Sequence, residues 1–227
     1  MSHSSFAGAL ACSRLGGLCL LGVVVLTGGC RDAEPPEPAS SAKSLMRSSD
    51  PFVFTDVTSS SGISMKTVSG DTPSTQILEV KGGGLALIDF DRDGDRDLFV
   101  PNGATLADPE SGPGARLFRN DGGLRFTDVT EGSGITHTRW SFGTAVGDID
   151  ADGLDDIFIA CYGPDVLLRN RGDGTFEDVS RAVGVGDSGW STSAAFGDLD
   201  LDGDLDLFVT RYVDFDVTSP VPPARFK

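Results

Sequence analysis

Three nine-residue stretches carry most of the chemistry available to this sequence. They read DFDRDGDRD from Asp89 to Asp97, DIDADGLDD from Asp148 to Asp156 and DLDLDGDLD from Asp198 to Asp206. Each fits D-x-D-x-D-G-x-x-D, with carboxylates at loop positions 1, 3, 5 and 9. These are Asp89, Asp91, Asp93 and Asp97, then Asp148, Asp150, Asp152 and Asp156, then Asp198, Asp200, Asp202 and Asp206. A hard cation such as Ca²⁺ takes about six to eight oxygen ligands at ~2.3–2.6 Å, which alternate carboxylates on a tight turn supply. Glycine at position 6 lets the backbone bend sharply, so the carbonyl at position 7 (Asp95, Leu154, Asp204) can face the same ion. Carboxylates this crowded repel one another unless a cation neutralises them. One such loop would read as a solvated acidic turn, whereas three matched copies argue for metal. The all-oxygen, many-ligand pattern favours Ca²⁺ over Mg²⁺, with about three ions expected.

The elements around the loops are short and apolar. An EF-hand needs a bidentate Glu at loop position 12 and a helix on leaving; here the twelfth residues are Val100, Ile159 and Val209. The runs DLFV, DIFIA and DLFVT that follow are β-prone, as are the stretches leading in, so the loops are expected at the tips of β-hairpins.

Internal repetition extends beyond the loops. Trp140 and Trp190, Asp148 and Asp198, Asn120 and Asn170, and Asp128 and Asp178 each lie 50 residues apart. Every unit opens on a strand-like FTDVT or FEDVS, and R-N-x-G turns follow the metal loops of the first two. The first unit is longer, by 13 residues before its metal loop and 9 after it, insertions that cost least in turns. Units fall near residues 52–124, 125–174 and 175–227, the last one incomplete. A unit of ~50 residues with four short strands has the size of a propeller blade. With 30 Gly, 12 Pro and no long helical pattern, the chain reads as all-β. The expectation is β-propeller-type repeats of about four strands each, forming an amino-terminal part of a longer, seven-bladed propeller.

Residues 1–29 read as a signal peptide, with an apolar run from Leu15 to Leu26 that is short for a membrane span. The run ends in LTGGC, a lipobox-like sequence that would place a lipid on Cys30, although its Leu sits one position further from the cysteine than is usual. Residues 30–51, rich in Pro, Ser and charge, cannot bury a core and read as a disordered tether. The expected location is the cell envelope through this anchor, or the outside medium if the lipobox is not used. Cys161 alone stays in the folded part, and a small buried apolar role suits it. The net charge of −16 opposes nucleic-acid binding, because phosphates would be repelled.

The motif D-x-D-x-D-G-x-x-D-[LI]-F, followed by L-x-R-N and G-x-F-x-D-V, resembles the FG-GAP/VCBS repeats of integrin-α-type β-propellers. The FTDVT…SGI wording, GGGLALIDFDRDGDRDLF and the RYVDFD tail resemble more narrowly the bacterial ASPIC/UnbV group, similar to cartilage acidic protein. The resemblance spans about residues 52–216 and implies one Ca²⁺ per loop, with blades that present loops to a partner.

Two functions follow. The first is an exported, calcium-stiffened binding or adhesion module with a protein or glycan partner in the envelope or outside it. The alternative is the amino-terminal part of a propeller-type exoenzyme acting on polysaccharide, its catalytic residues lying outside this chain. Within these residues the side chains argue against catalysis: His137 is the one histidine after the signal, Cys161 lacks a His/Asn partnership, and no G-x-S-x-G occurs. Trp140 and Trp190 could form a sugar platform, but their fixed place in the repeat favours packing between blades.

Overall fold

The computed structural model describes residues 10–11, 53–80, 82–186 and 188–219. The expected signal peptide, Cys30 and tether therefore lie outside the described residues, apart from Leu10–Ala11. That pair forms β1 (Leu10–Ala11), antiparallel to β2 (Thr55–Asp56).

Two four-stranded antiparallel meanders follow. The first runs β3 (Ala86–Ile88), β4 (Asp97–Val100), β5 (Arg116–Asn120) and β6 (Phe126–Asp128). The second runs β7 (Ser141–Gly147), β8 (Asp156–Cys161), β9 (Val166–Asn170) and β10 (Phe176–Asp178). A hairpin of β11 (Ser191–Gly197) and β12 (Asp206–Arg211) forms a further two-stranded sheet after them. Among the described residues, helix is limited to one turn, α1 (Ser180–Val183), and 3-10 turns at Thr58–Ser60 and Ile77–Val80.

The sheets are phased differently from the sequence units. FTDVT opens the second unit in sequence, yet its residues Phe126–Asp128 close the first sheet against β5. Likewise FEDVS supplies β10, the last strand of the second sheet. A repeat reveals its period but not where the sheet breaks; the pairing register sets that. Each DVT-type copy then turns the chain away, with the Thr58, Thr130 and Ser180 amides donating to Asp56, Asp128 and Asp178 at 2.9–3.0 Å. The segment that follows leans on the next sheet: Phe126 and Phe176 donate their amides to the Ser61 and Ser133 carbonyls, each at 2.7 Å. Glycine is required beside those contacts. Gly134 has φ +79° and lies so close to the Phe176 carbonyl that a Cβ would collide with it.

The sheets pack through their first strands. Gly143 in β7 approaches β11 so closely that a Cβ would stand 2.5 Å from the Thr192 carbonyl oxygen. Between the first two sheets lies one apolar cluster containing Ile88, Phe99, Leu117, Ile157, Ile159, Val166 and Phe176. β8 is buried along its whole length, as a strand between two covered faces must be. Trp140 and Trp190 are 1% and 2% exposed, with Phe142 between them at ring distances of 6.3 and 5.6 Å. They are packing residues rather than a sugar platform, because neither ring offers a free face. The insertion before the first acidic loop is held by buried Glu79, whose carboxylate accepts the amides of Asp71, Thr75 and Gln76 at 2.7–2.9 Å.

Candidate metal centres

Each acidic loop is the connection of a hairpin: β3 to β4, β7 to β8 and β11 to β12. The sharp turn is made by two left-handed residues. Glycine takes one at position 6, with φ of 88°, 81° and 99° at Gly94, Gly153 and Gly203. Position 4 takes the other with a side chain, φ being 61°, 55° and 63° at Arg92, Ala151 and Leu201. A non-glycine residue there costs on the order of 1 kcal/mol, and the same cost recurs in all three loops.

This turn gathers the carboxylates of positions 1, 3 and 9. Asp89, Asp91 and Asp97 form one group, Asp148, Asp150 and Asp156 the second, and Asp198, Asp200 and Asp206 the third, each offering oxygens within 4.8 Å of one another. Position 5 is not in these groups. Asp93, Asp152 and Asp202 instead accept the amides of Asp95, Leu154 and Asp204 at 2.8–3.0 Å, which fixes the bend before position 7.

Position 9 begins the outgoing strand and is held most firmly. Asp97 accepts the Phe90 and Asn120 amides at 3.1 and 2.8 Å, and Asp156 accepts those of Ile149 and Asn170 at 2.9 and 2.7 Å. Both are fully buried. Burial lifts the Asp97 carboxyl to about 6, aided by the charges of Asp91 and Asp93 and opposed by its two amide donors. Asp156 is raised by the same burial, with Asp150 and Asp152 adding to it.

Position 1 separates the loops. Asp148 binds the amides of Asp152 and Gly153 at 3.0 and 2.8 Å, and Asp198 binds those of Asp202 and Gly203, each at 3.1 Å. Asp89 Oδ1, by contrast, is buried without any hydrogen-bond partner. An orphaned buried carboxylate oxygen facing two further carboxylates is costly without a counter-charge. At about 4 Å, each pair of unit charges repels by ~1 kcal/mol in water and by several times that near a protein surface. Three all-oxygen groups of this kind can hold hard cations, and the residues fit that role.

The other candidates are structural. His137 Nε2 lies 3.2 Å from Ser141 Oγ, and burial, with the Arg139 charge, lowers its pKa to about 4. It is therefore neutral near pH 7 but a very weak base. Cys161 is free and fully buried, and that burial pushes its thiol up to about 12, so almost no thiolate is present near neutral pH. Asn170 and Asn120 appear in the sequence only as markers of register. In the structure their side chains and amides brace position 9, a role that spacing alone does not reveal.

Antiparallel four-stranded sheets, packed through their first strands and tipped with acidic hairpin loops, define a β-propeller-type repeat protein. The FG-GAP-like repeat model matches residues 89–159 and again 148–209, each match running from one acidic loop to the strand beyond the next. Together the matches cover residues 89–209, more than half the chain, so the chain belongs to the FG-GAP-like repeat family. No curated protein matches it.

Proposed function

We propose that this is a calcium-binding propeller module of the cell envelope, exported and tethered through Cys30, that presents its loops to a protein or glycan partner. The observation carrying the metal reading is the converging carboxylate triad found at the same positions in all three loops, with Oδ1 of Asp89 in the first left orphaned. Calcium is favoured because every donor that converges at these tips is oxygen. When bound it supplies positive charge that turns repulsion at each hairpin tip into attraction. Residues 31–51 suit a polar spacer between lipid and domain, and the resemblance to the ASPIC/UnbV group supports an extracellular role.

Thermal melting of the metal-stripped chain, with and without Ca²⁺ or Mg²⁺, tests the metal reading, with Asp150→Ala as the control that disables the middle centre. Calcium should raise the melting temperature more than magnesium does, and the variant should bind one ion fewer by calorimetry. Unchanged melting and no heat of binding would sink the reading. Mass spectrometry of the membrane fraction tests the anchor: an acylated Cys30 supports it, and a chain that retains Met1 overturns it.

A further inference from the structure

The first and second acidic loops are joined by a polar seam. Arg92 Nη2 donates to the Asp152 carbonyl at 3.0 Å, and Arg96 Nη1 meets Asp155 Oδ2 at 3.2 Å. The same Asp155 oxygen accepts the amide of Asp89 at 3.4 Å. Asn170 closes the seam from below: its Nδ2 donates to the Phe90 carbonyl at 2.9 Å while its backbone amide donates to Asp156 Oδ1 at 2.7 Å. One residue thus grips the backbone of the first loop with its side chain and the buried carboxylate of the second with its backbone amide.

The second and third loops have no such seam. Positions 4 and 8 are Arg92 and Arg96 in the first loop but Ala151 and Asp155 in the second, so no cation reaches forward. The third loop carries Leu201 and Leu205 there, and the 50-residue counterpart of Asn170 is Pro220. Among the described residues, no hydrogen bond or ion pair joins 148–156 to 198–206.

We propose that the first and second metal centres bind cooperatively while the third binds independently, with Arg92, Arg96 and Asn170 as the positioning residues. This rests on the reading that the loops take Ca²⁺. Filling a centre costs the entropy of ordering its loop. Fixing Asp156 fixes Asn170, which holds Phe90 next to Asp89, so the other centre meets a loop already ordered. The two guanidinium groups between the loops also reduce repulsion between two bound dications. The coupling is reciprocal, since each centre raises the affinity of the other by the same factor.

Calcium calorimetry on the full chain tests this. Asp200→Ala leaves the first two centres, Asp91→Ala leaves the last two, and pairwise combinations of Asp91→Ala, Asp150→Ala and Asp200→Ala leave one each. The two-ion affinity of the first pair should exceed the product of its single-centre affinities by about fivefold or more. The last pair should match its product. Adding Arg92→Gln and Arg96→Gln should shrink the excess, with Asn170 carrying the remainder, while both ions still bind; Arg96 is mostly exposed, so the fold tolerates the change. Product-like affinities in the first pair, or an equal excess in the last, would overturn the coupling but leave calcium binding intact. No binding in the parent chain would overturn the calcium reading itself.

Discussion

If the acidic loops take calcium as proposed, acid should erode the stabilisation it confers, and Asp97 sets the scale. Its carboxyl titrates at about 6 in the metal-free fold against an ordinary 3.8. The native state therefore holds more protons than the unfolded chain between these values. Metal-free stability from this group is complete below 3.8 and is lost as pH rises through about 6. A bound cation requires the carboxylate, so it competes with that proton. For a group titrating near 6, proton occupancy of the free centre climbs from about one tenth at pH 7 to about nine tenths at pH 5. The apparent dissociation constant of the first centre should then rise about tenfold, or ~1.4 kcal/mol of lost calcium stabilisation. Asp156 shifts in the same direction and adds to the loss at the second centre. His137 also makes the fold acid-sensitive, but with or without calcium, so it cancels in the difference. Urea unfolding followed by the fluorescence of buried Trp140 and Trp190 gives that difference directly. The zero-calcium arm should be metal-stripped protein, because chelators themselves protonate in this range. A calcium increment that stays level or grows between pH 7 and pH 5 refutes the argument.

Three further outcomes follow from single side chains. Gly134→Ala should lose roughly 2 kcal/mol or more, read as a lower urea midpoint at unchanged slope, because φ +79° and the Phe176 carbonyl both exclude a Cβ. Glu79→Gln keeps one acceptor oxygen in place of two and should cost about 1–3 kcal/mol at pH 7. Although burial alone would raise the Glu79 carboxyl, its amide donors lower it from 4.5, so its stabilisation is present above 4.5 and lost as pH falls below. The variant should therefore converge on the parent in acid-unfolding curves. His137, lowered from 6.5 to about 4, stabilises the fold above 6.5 and loses that contribution as pH falls toward 4. Relative to His137→Gln, the parent should lose about 2 kcal/mol between pH 7 and pH 5, measured by urea unfolding with calcium present throughout.

Much of this architecture is legible in the residues. The 50-residue spacing marks the repeat, and the absence of Glu at position 12 separates these loops from EF-hands. The loops do sit at hairpin tips, and the paired tryptophans are buried. The strand break is not legible, because FTDVT occurs once per period whether it opens or closes a sheet. Nor is the division of labour among the aspartates. Positions 5 and 9 look equivalent in sequence, but only the latter lies at the start of a strand, where burial and the amides of Asn120 or Asn170 hold it. Glu79 was hidden inside an insertion with no repeat to compare it with. The seam depends on contacts between residues up to 80 apart, and one repeat unit carries no trace of its neighbour's partner.

The meander order of the strands also bears on how the chain reaches its structure. Within a sheet each strand pairs with the next in sequence: Phe118 opposes Leu98 on one side and Asp128 on the other, separations of 20 and 10 residues. Such pairings close small loops and form early, since little chain entropy is lost. Many contacts between sheets are less local, such as 43 residues for Ser133 to Phe176 and 80 for Asn170 to Phe90. A growing chain can therefore complete one sheet before the next has been made, and dock the two afterwards. Asn170, reaching back across that gap, is among the last residues to find its partner. Substitutions there should act mainly on the rate of unfolding, whereas changes within the β4–β5–β6 ladder should slow folding itself.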